Sequence, residues 1–358
     1  DKVSLTTSLY DRYNLLLITI LSIPLIHACA VKHPPAIEKR DDPLIGKIVD
    51  ARTAEEIEFD FLIQRIMEAD IIYLSEKHDN PDQHAAQQKI ITALADKMAQ
   101  NPGGPTPPAI GFEFFSTHHT PDLLNFIDSG KVTHSQKVEK MIEKEMRMKL
   151  GWQSQSDTMW GYYYDLLKLA RKNQLTAAGL DLGSAQKKRI TKKGLAGITD
   201  IERETLFSTQ LYNDTYKDYM FAIFKAVHCG MGHEKMQARL YDTWLARNDT
   251  MAHAIVRLRA NSDGPVIVIV GGGHTEYGLG IIDRVRAINP VLKQVNVGLT
   301  EIRVTPAPLS DYLFPLDLEG FDAEPPADFL WFFQRVSYED PCVAFKKSLE
   351  KMKRQHRE

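Results

Sequence analysis

The sequence is poor in cysteine and has no excess of either charge. Its 3 cysteines, Cys29, Cys229 and Cys342, are too few for a fold built on disulfides, and no CxxC pair stands ready for zinc. The 44 Lys and Arg nearly balance the 47 Asp and Glu, so there is no basic field to gather nucleic acid and no acidic one to gather a polycation. Familiar catalytic signatures are missing too. No GxSxG elbow occurs, which argues against an α/β-hydrolase. The glycines at Gly271-Gly272-Gly273 do not fall as GxGxxG, no GK[ST] follows them, and His233-Glu234 lacks the second histidine of HExxH. There is no internal repeat. What is present is a 43% hydrophobic composition, enough to bury a full core in one large α/β domain or two smaller ones.

The one long apolar run, Leu15 to Ile26, is too short to span a bilayer comfortably and follows Lys2 and Arg12. It reads as a secretory h-region. It ends at Ile26-His27-Ala28-Cys29, which resembles a bacterial lipoprotein cleavage box with an atypical His27, so residues 1–29 are expected to be a lipoprotein-type signal with Cys29 as the lipidated residue. A signal cleaved without lipidation and a short anchor helix are the alternatives. Residues 30–44, with Pro34 and Pro35, read as a tether. A single Cys229–Cys342 bridge suits an oxidising envelope.

Past the tether, Thr53-Ala54-Glu55-Glu56 reads as a capping box opening a first helix to about Met67. Short apolar strands then alternate with helices. Ile71 to Leu74, Ala109 to Phe115, Leu175 to Leu182, Pro265 to Val270 and Gln294 to Gly298 are the strands. Asn80-Pro81-Asp82 and Thr120-Pro121-Asp122 are helix starts. Residues 200–259 read as helix interrupted at Cys229-Gly230. This pattern predicts an α/β fold with a mainly parallel sheet flanked by helices and a largely helical insertion. The domain is placed at 45–304 and a C-terminal extension at 305–358, whose Lys/Arg cluster (Lys346, Lys347, Lys351, Lys353, Arg354) reads as a solvated face.

In such sheets ligand sites lie beyond the carboxyl ends of the strands. Two polar turns fall there. Glu76-Lys77-His78 places a carboxylate and an imidazole on the same side of an extended segment, suited to joint metal binding or a general-base pair; a helix-capping polar turn is the bland alternative. Gly271-Gly272-Gly273-His274 lets backbone and imidazole approach a ligand or a neighbouring strand closely. Glu113, inside an apolar strand, needs a cation, a metal or a proton. An ion pair with a residue such as Arg247 would satisfy it, and Asp181 raises the same question. The aromatic cluster around Trp152, Trp160, Tyr162, Tyr163 and Tyr164 reads as core.

Taken together, Leu74-Ser75-Glu76-Lys77-His78 with His84 and Gln87, the strand around Gly111-Phe112-Glu113, Arg247 to Ala252, and Val270 to His274 with Tyr277, Gly278 and Gly280 resemble the ChaN-like haem-binding lipoproteins. These belong to a superfamily that includes Tiki proteases and erythromycin-esterase-like proteins. The resemblance covers about Gly46 to Gly298, with Ser75 in place of the usual glycine of Gly-Glu-x-His. It implies an outer-membrane lipoprotein of the bacterial envelope, facing the periplasm or the surface. Such a protein would bind haem and serve iron acquisition, as a dimer enclosing two haems with tyrosine on the iron. On this reading His78, His274, Tyr277 and Arg247 touch the cofactor, and the choice among Tyr277, Tyr212, Tyr216 and Tyr219 for the iron is open. Other members of the superfamily look like metal-dependent hydrolases, in which Glu76, His78, Glu113 and His274 would gather a divalent metal ion as the catalytic group. A structural envelope lipoprotein with a vestigial site is the third reading.

Overall fold

Two unbroken apolar runs make the centre of the protein. Ile71–Glu76 (β3) and Val266–Gly271 (β6) pair in parallel, and every residue of both is buried. Their alternation separates two cores. Ile72, Leu74, Ile267 and Ile269 point to one face and join a large cluster, while Ile71, Tyr73, Val266, Val268 and Val270 point to the other. Strands buried on both faces need helices on both faces, and this is the arrangement found.

The computed structural model describes residues 39–100, 106–211, 214–227, 229–230, 233–320, 322–340 and 342–343. The signal segment 1–29 with Cys29, most of the tether, Tyr212 and the basic tail cluster lie outside the described residues. Ile48–Asp50 (β1), Glu55–Ile57 (β2), Ala109–Ser116 (β4), Ala177–Asp181 (β5), Gln294–Glu301 (β7) and Phe329–Phe333 (β8) complete an eight-stranded sheet in the order β2-β1-β8-β7-β3-β6-β4-β5. All pairings from β8 to β5 are parallel; β1 is antiparallel to both of its neighbours.

The helices among the described residues are Phe59–Ile66 (α1), Pro81–Ala99 (α2), Thr120–Ser129 (α3), Gln136–Lys149 (α4), Asp157–Lys172 (α5), Ser184–Lys193 (α6), Asp200–Leu206 (α7), Asp214–Val227 (α8), Glu234–Ala260 (α9) and Ile281–Ile288 (α10). The Asn80 start is as expected: its side chain accepts from Asp82 N and Gln83 N, and Pro81 occupies the first turn. The helical insertion is α6 to α9, between β5 and β6. None of the helices among the described residues is long and apolar enough to cross a membrane.

Two expectations are corrected. Thr53 to Glu56 does not open a helix; it is the turn and second strand of the β1–β2 hairpin. Asp50 Oδ1 accepts from the backbone of Arg52 at 2.9 Å and Thr53 at 3.4 Å, and Ala54 adopts φ 59°, so the carboxylate caps a turn and the helix waits until Phe59. The segment after 305 is more than an appendage. Phe329-Leu330-Trp331-Phe332-Phe333 inserts as β8 between β1 and β7. Cys229 and Cys342 are bridged, with Cα atoms 5.5 Å apart across 113 residues of sequence.

Candidate functional site

Parallel pairing sets Glu76, at the end of β3, level with Gly271, at the end of β6. The two polar turns at the strand ends therefore lie side by side. On the other flank of β6 runs β4, and its Glu113 accepts the Gly271 backbone N–H at 2.7 Å.

Two residues past the strand, His78 turns back on Glu76, with Nδ1 3.2 Å from Oε1. Glu76 is buried but well supplied with donors. Gln87 Nε2 reaches Oε2 at 2.5 Å, the Tyr163 hydroxyl donates to Oε1, and His84 Nδ1 lies 3.4 Å from Oε2. Burial acts to raise the Glu76 pKa, yet the His84 ring, His78 and Tyr163 outweigh it and hold the carboxyl below its ordinary range. With Glu76 ionised, Nδ1 of His78 carries a proton, so in the neutral ring it is Nε2 that presents its lone pair. Burial lowers the proton affinity of His78, but the bond to Glu76 and the charges of Glu113 and Glu76 leave it raised overall. The ring meets Phe114 edge-on at 4.5 Å and stays partly open, its side chain 29% exposed.

His274 differs. It is buried, stacked on Trp244 with ring centroids 4.0 Å apart and planes 12° from parallel. Nε2 lies 3.3 Å from Glu113 Oε1 and Nδ1 lies 2.5 Å from Asn248 Oδ1. Burial keeps the His274 pKa below its usual value against the pull of Glu113, so the neutral ring has one N–H. A carboxylate only accepts, which puts that proton on Nε2 and makes Nδ1 an acceptor. Asn248 then turns its amide nitrogen toward Nδ1; in the opposite orientation Asn248 Nδ2 is buried without a partner. Either way both ring nitrogens of His274 are engaged, and it orients the site without offering a free ligand atom.

Glu113 is answered by Arg247, the partner weighed from the sequence. Arg247 Nη2 donates to Glu113 Oε1 at 2.7 Å, and Nε donates to both oxygens of Asp181 at 3.1 Å. Lys187 adds a bond to Asp181 at 2.6 Å. Burial raises the pKa of Glu113, but His274, Arg247 and His78 together hold it well below the ordinary value. Arg247 is thus a buried cation shared by two carboxylates, with its side chain 9% exposed.

Glu76, His78, Glu113 and His274 are the residues weighed as ligands of a divalent metal. The four residues do converge, but among the described residues no group of three or more His, Cys, Asp or Glu could hold a metal ion. Arg247, Gly271 and Asn248 take the atoms of Glu113 and His274 that a metal would need.

Tyr277 leaves this cluster. It adopts φ 60° and ψ 25°, a left-handed conformation rare for a large side chain, and its N–H donates to Pro326 O at 3.1 Å. It lines a cavity of about 630 Å³ with Tyr312, Phe314, Leu316, Leu330 and Arg303. Glu276 lines the same cavity, and its Oε1 lies 3.5 Å from where a Cβ on Gly272 would stand, so the cavity adjoins the strand-end turn. Burial and Glu276 raise the Tyr277 pKa. Of the other tyrosines weighed for iron, Tyr216 is buried and accepts from Trp244 Nε1 at 3.0 Å, while Tyr219 is half-buried beside Glu276 and Tyr277.

Trp244 has no signal in the sequence that ties it to the site, while Tyr163 is expected only as core and Asn248 only as part of the Arg247 to Ala252 motif. Tyr163 reads as core and is core, yet its hydroxyl also serves Glu76. Asn248 carried a usable signal: a polar residue on the buried face of α9, beside Arg247 and Asp249.

The family model described as haem-binding uptake, Tiki superfamily, ChaN matches residues 62–285, more than half of the chain. The chain belongs to this family. Among solved structures it is similar to ChaN of Campylobacter jejuni with cofacially bound heme, with a TM-score of 0.58 and 17% identity over 79% of this chain and 95% of that one. That likeness establishes the fold. More distant similarities are to the type III effector HopBA1 (TM-score 0.41, 13% identity, 77% and 92% of the two chains) and to an erythromycin esterase mutant in its open conformation (0.38, 13%, 73% and 78%). No curated protein matches the chain.

Proposed function

We propose that this protein binds haem in the cavity beside the strand-end site and serves haem or iron acquisition in the bacterial envelope. The observation that carries the reading is the cavity of about 630 Å³ lined by Tyr277, in a chain that belongs to a family described by haem uptake. Haem needs flat apolar walls, a partner for its carboxylates and an iron ligand. Phe314, Leu316 and Leu330 fit the first need, Arg303 the second and the Tyr277 phenol the third. A phenolate oxygen favours ferric haem, which supplies an iron centre to be carried. His78 keeps a free Nε2 for the same neighbourhood, whereas His274 and Arg247 orient the turn from within.

The Cys229–Cys342 bridge supports an oxidising compartment, and the apolar run before Cys29 supports export with a lipid anchor at the outer membrane. Phe314 is 73% exposed at the cavity, and the cofacial heme of the Campylobacter protein favours a homodimer that covers it.

The test is a titration of the purified chain with hemin, read by the Soret band. We expect a saturable shift that Tyr277→Phe weakens by ~10-fold or more and Tyr216→Phe leaves unchanged. A wild-type chain that gives no Soret shift ends the haem reading.

A further inference from the structure

A second cavity, of about 380 Å³, opens in the helical insertion and shares no lining residue with the first. Its apolar floor is Leu195, Phe207, Tyr241 and Leu245. Around it stand two cations, Arg203 on α7 and Lys217 on α8, and two anions, Asp214 on α8 and Asp242 on α9. Opposite charges on neighbouring helices ordinarily close on each other. Among the described residues none of these four forms an ion pair, and Arg203 only donates a long 3.5 Å bond to Leu195 O.

Two further observations point to a missing partner. The Tyr241 hydroxyl is buried and has no hydrogen-bond partner among the described residues, which is costly in a folded protein. Burial raises the Asp242 pKa, and the Leu195 backbone, Lys217 and Arg203 only partly offset it, so this carboxylate lacks a close counter-charge. Among the described residues, charges of both signs stand unpaired around an apolar floor to which Tyr241 belongs.

We propose that this cavity is a binding site for a small apolar zwitterion, such as a free amino acid with a large hydrophobic side chain. Arg203 and Lys217 take its carboxylate, Asp242 and Asp214 its ammonium, and Phe207 with the leucines its side chain. The site stands apart from the haem reading and does not depend on it.

Isothermal titration of the full chain with L-phenylalanine tests this, alongside L-phenylalaninamide, which lacks the carboxylate, and N-acetyl-L-phenylalanine, which lacks the ammonium. Phenylalanine should bind, with each blocked compound ~10-fold weaker or worse. In Asp242→Asn the N-acetyl compound should lose its handicap relative to phenylalanine, and in Arg203→Gln the amide should lose its own. The proposal is overturned if phenylalanine gives no heat at millimolar concentration, or if the blocked compounds bind as well as the free amino acid. Because the ligand series is run on the wild-type chain, it decides the question even where a variant fails to fold.

Discussion

A Cβ on Gly271 would stand 2.6 Å from Cε1 and 2.9 Å from Nε2 of His78. The last residue of β6 is therefore a glycine so that the imidazole following β3 can lie across it. Gly271→Ala should push the ring from Glu76 and cost about 1–3 kcal/mol through overpacking. Urea denaturation would show the loss, and unchanged stability with an unchanged hemin titration would refute the contact.

Arg247 holds Glu113 and Asp181 at once, with the three side chains 9%, 1% and 2% exposed. Arg247→Met should leave two buried carboxylates without their shared cation and cost about 3–5 kcal/mol. Arg259→Met, at the more exposed Asp70 pair, should cost about 1 kcal/mol or less. Equal losses in the two variants would show that the buried network has no special weight.

Acid should undo this same network. The Glu113 pKa is held well below its ordinary value, near ~4.3 in an unfolded chain. Below that value the unfolded form binds more protons than the folded form, so the contribution is complete above ~4.3 and is lost as pH falls toward the depressed folded pKa. Asp283 acts oppositely: burial raises its pKa to about 6, so it favours the fold at low pH and that part is lost as pH rises toward 6. In Glu113→Gln the acid-side decline of the urea midpoint should be shallower than in wild type. A decline of identical slope would rule Glu113 out as its source.

Hemin affinity should rise with pH. Burial and Glu276 raise the Tyr277 pKa, so the free phenol holds its proton and must release it to ligate ferric iron. As long as the pH stays below the phenol pKa, each unit of increase in pH should strengthen binding by ~10-fold, if one proton leaves. Soret titrations at pH 6, 7 and 8 would measure this, and a flat profile would exclude Tyr277 phenolate as the ligand.

Much of the fold was legible because its signals are local. Ile71 to Leu74 and Val266 to Val270 could be little but buried strands, and Asn80-Pro81-Asp82 carried its own cap. The Thr53 turn misled because a hydroxyl followed by acids also suits a hairpin when a carboxylate such as Asp50 stands just before it. β8 was missed because an apolar run near a chain end does not reveal which strand it will pair with. At the site, Glu76, His78, Glu113 and His274 could be grouped from their strand-end positions. Their unequal roles could not, since the difference lies in long-range partners: Asn248 and Trp244 for His274, Gln87 and Tyr163 for Glu76.

The position of β8 also sets a schedule for folding. β1 touches β7 only through β8, so the hairpin at the start of the domain can join the main sheet only after residues 329–333 have been made and delivered. Residues up to 333 must therefore emerge before β1 and β2 find their place in the sheet, and a chain interrupted before 329 would present the open edge of β7 to solvent or to other chains.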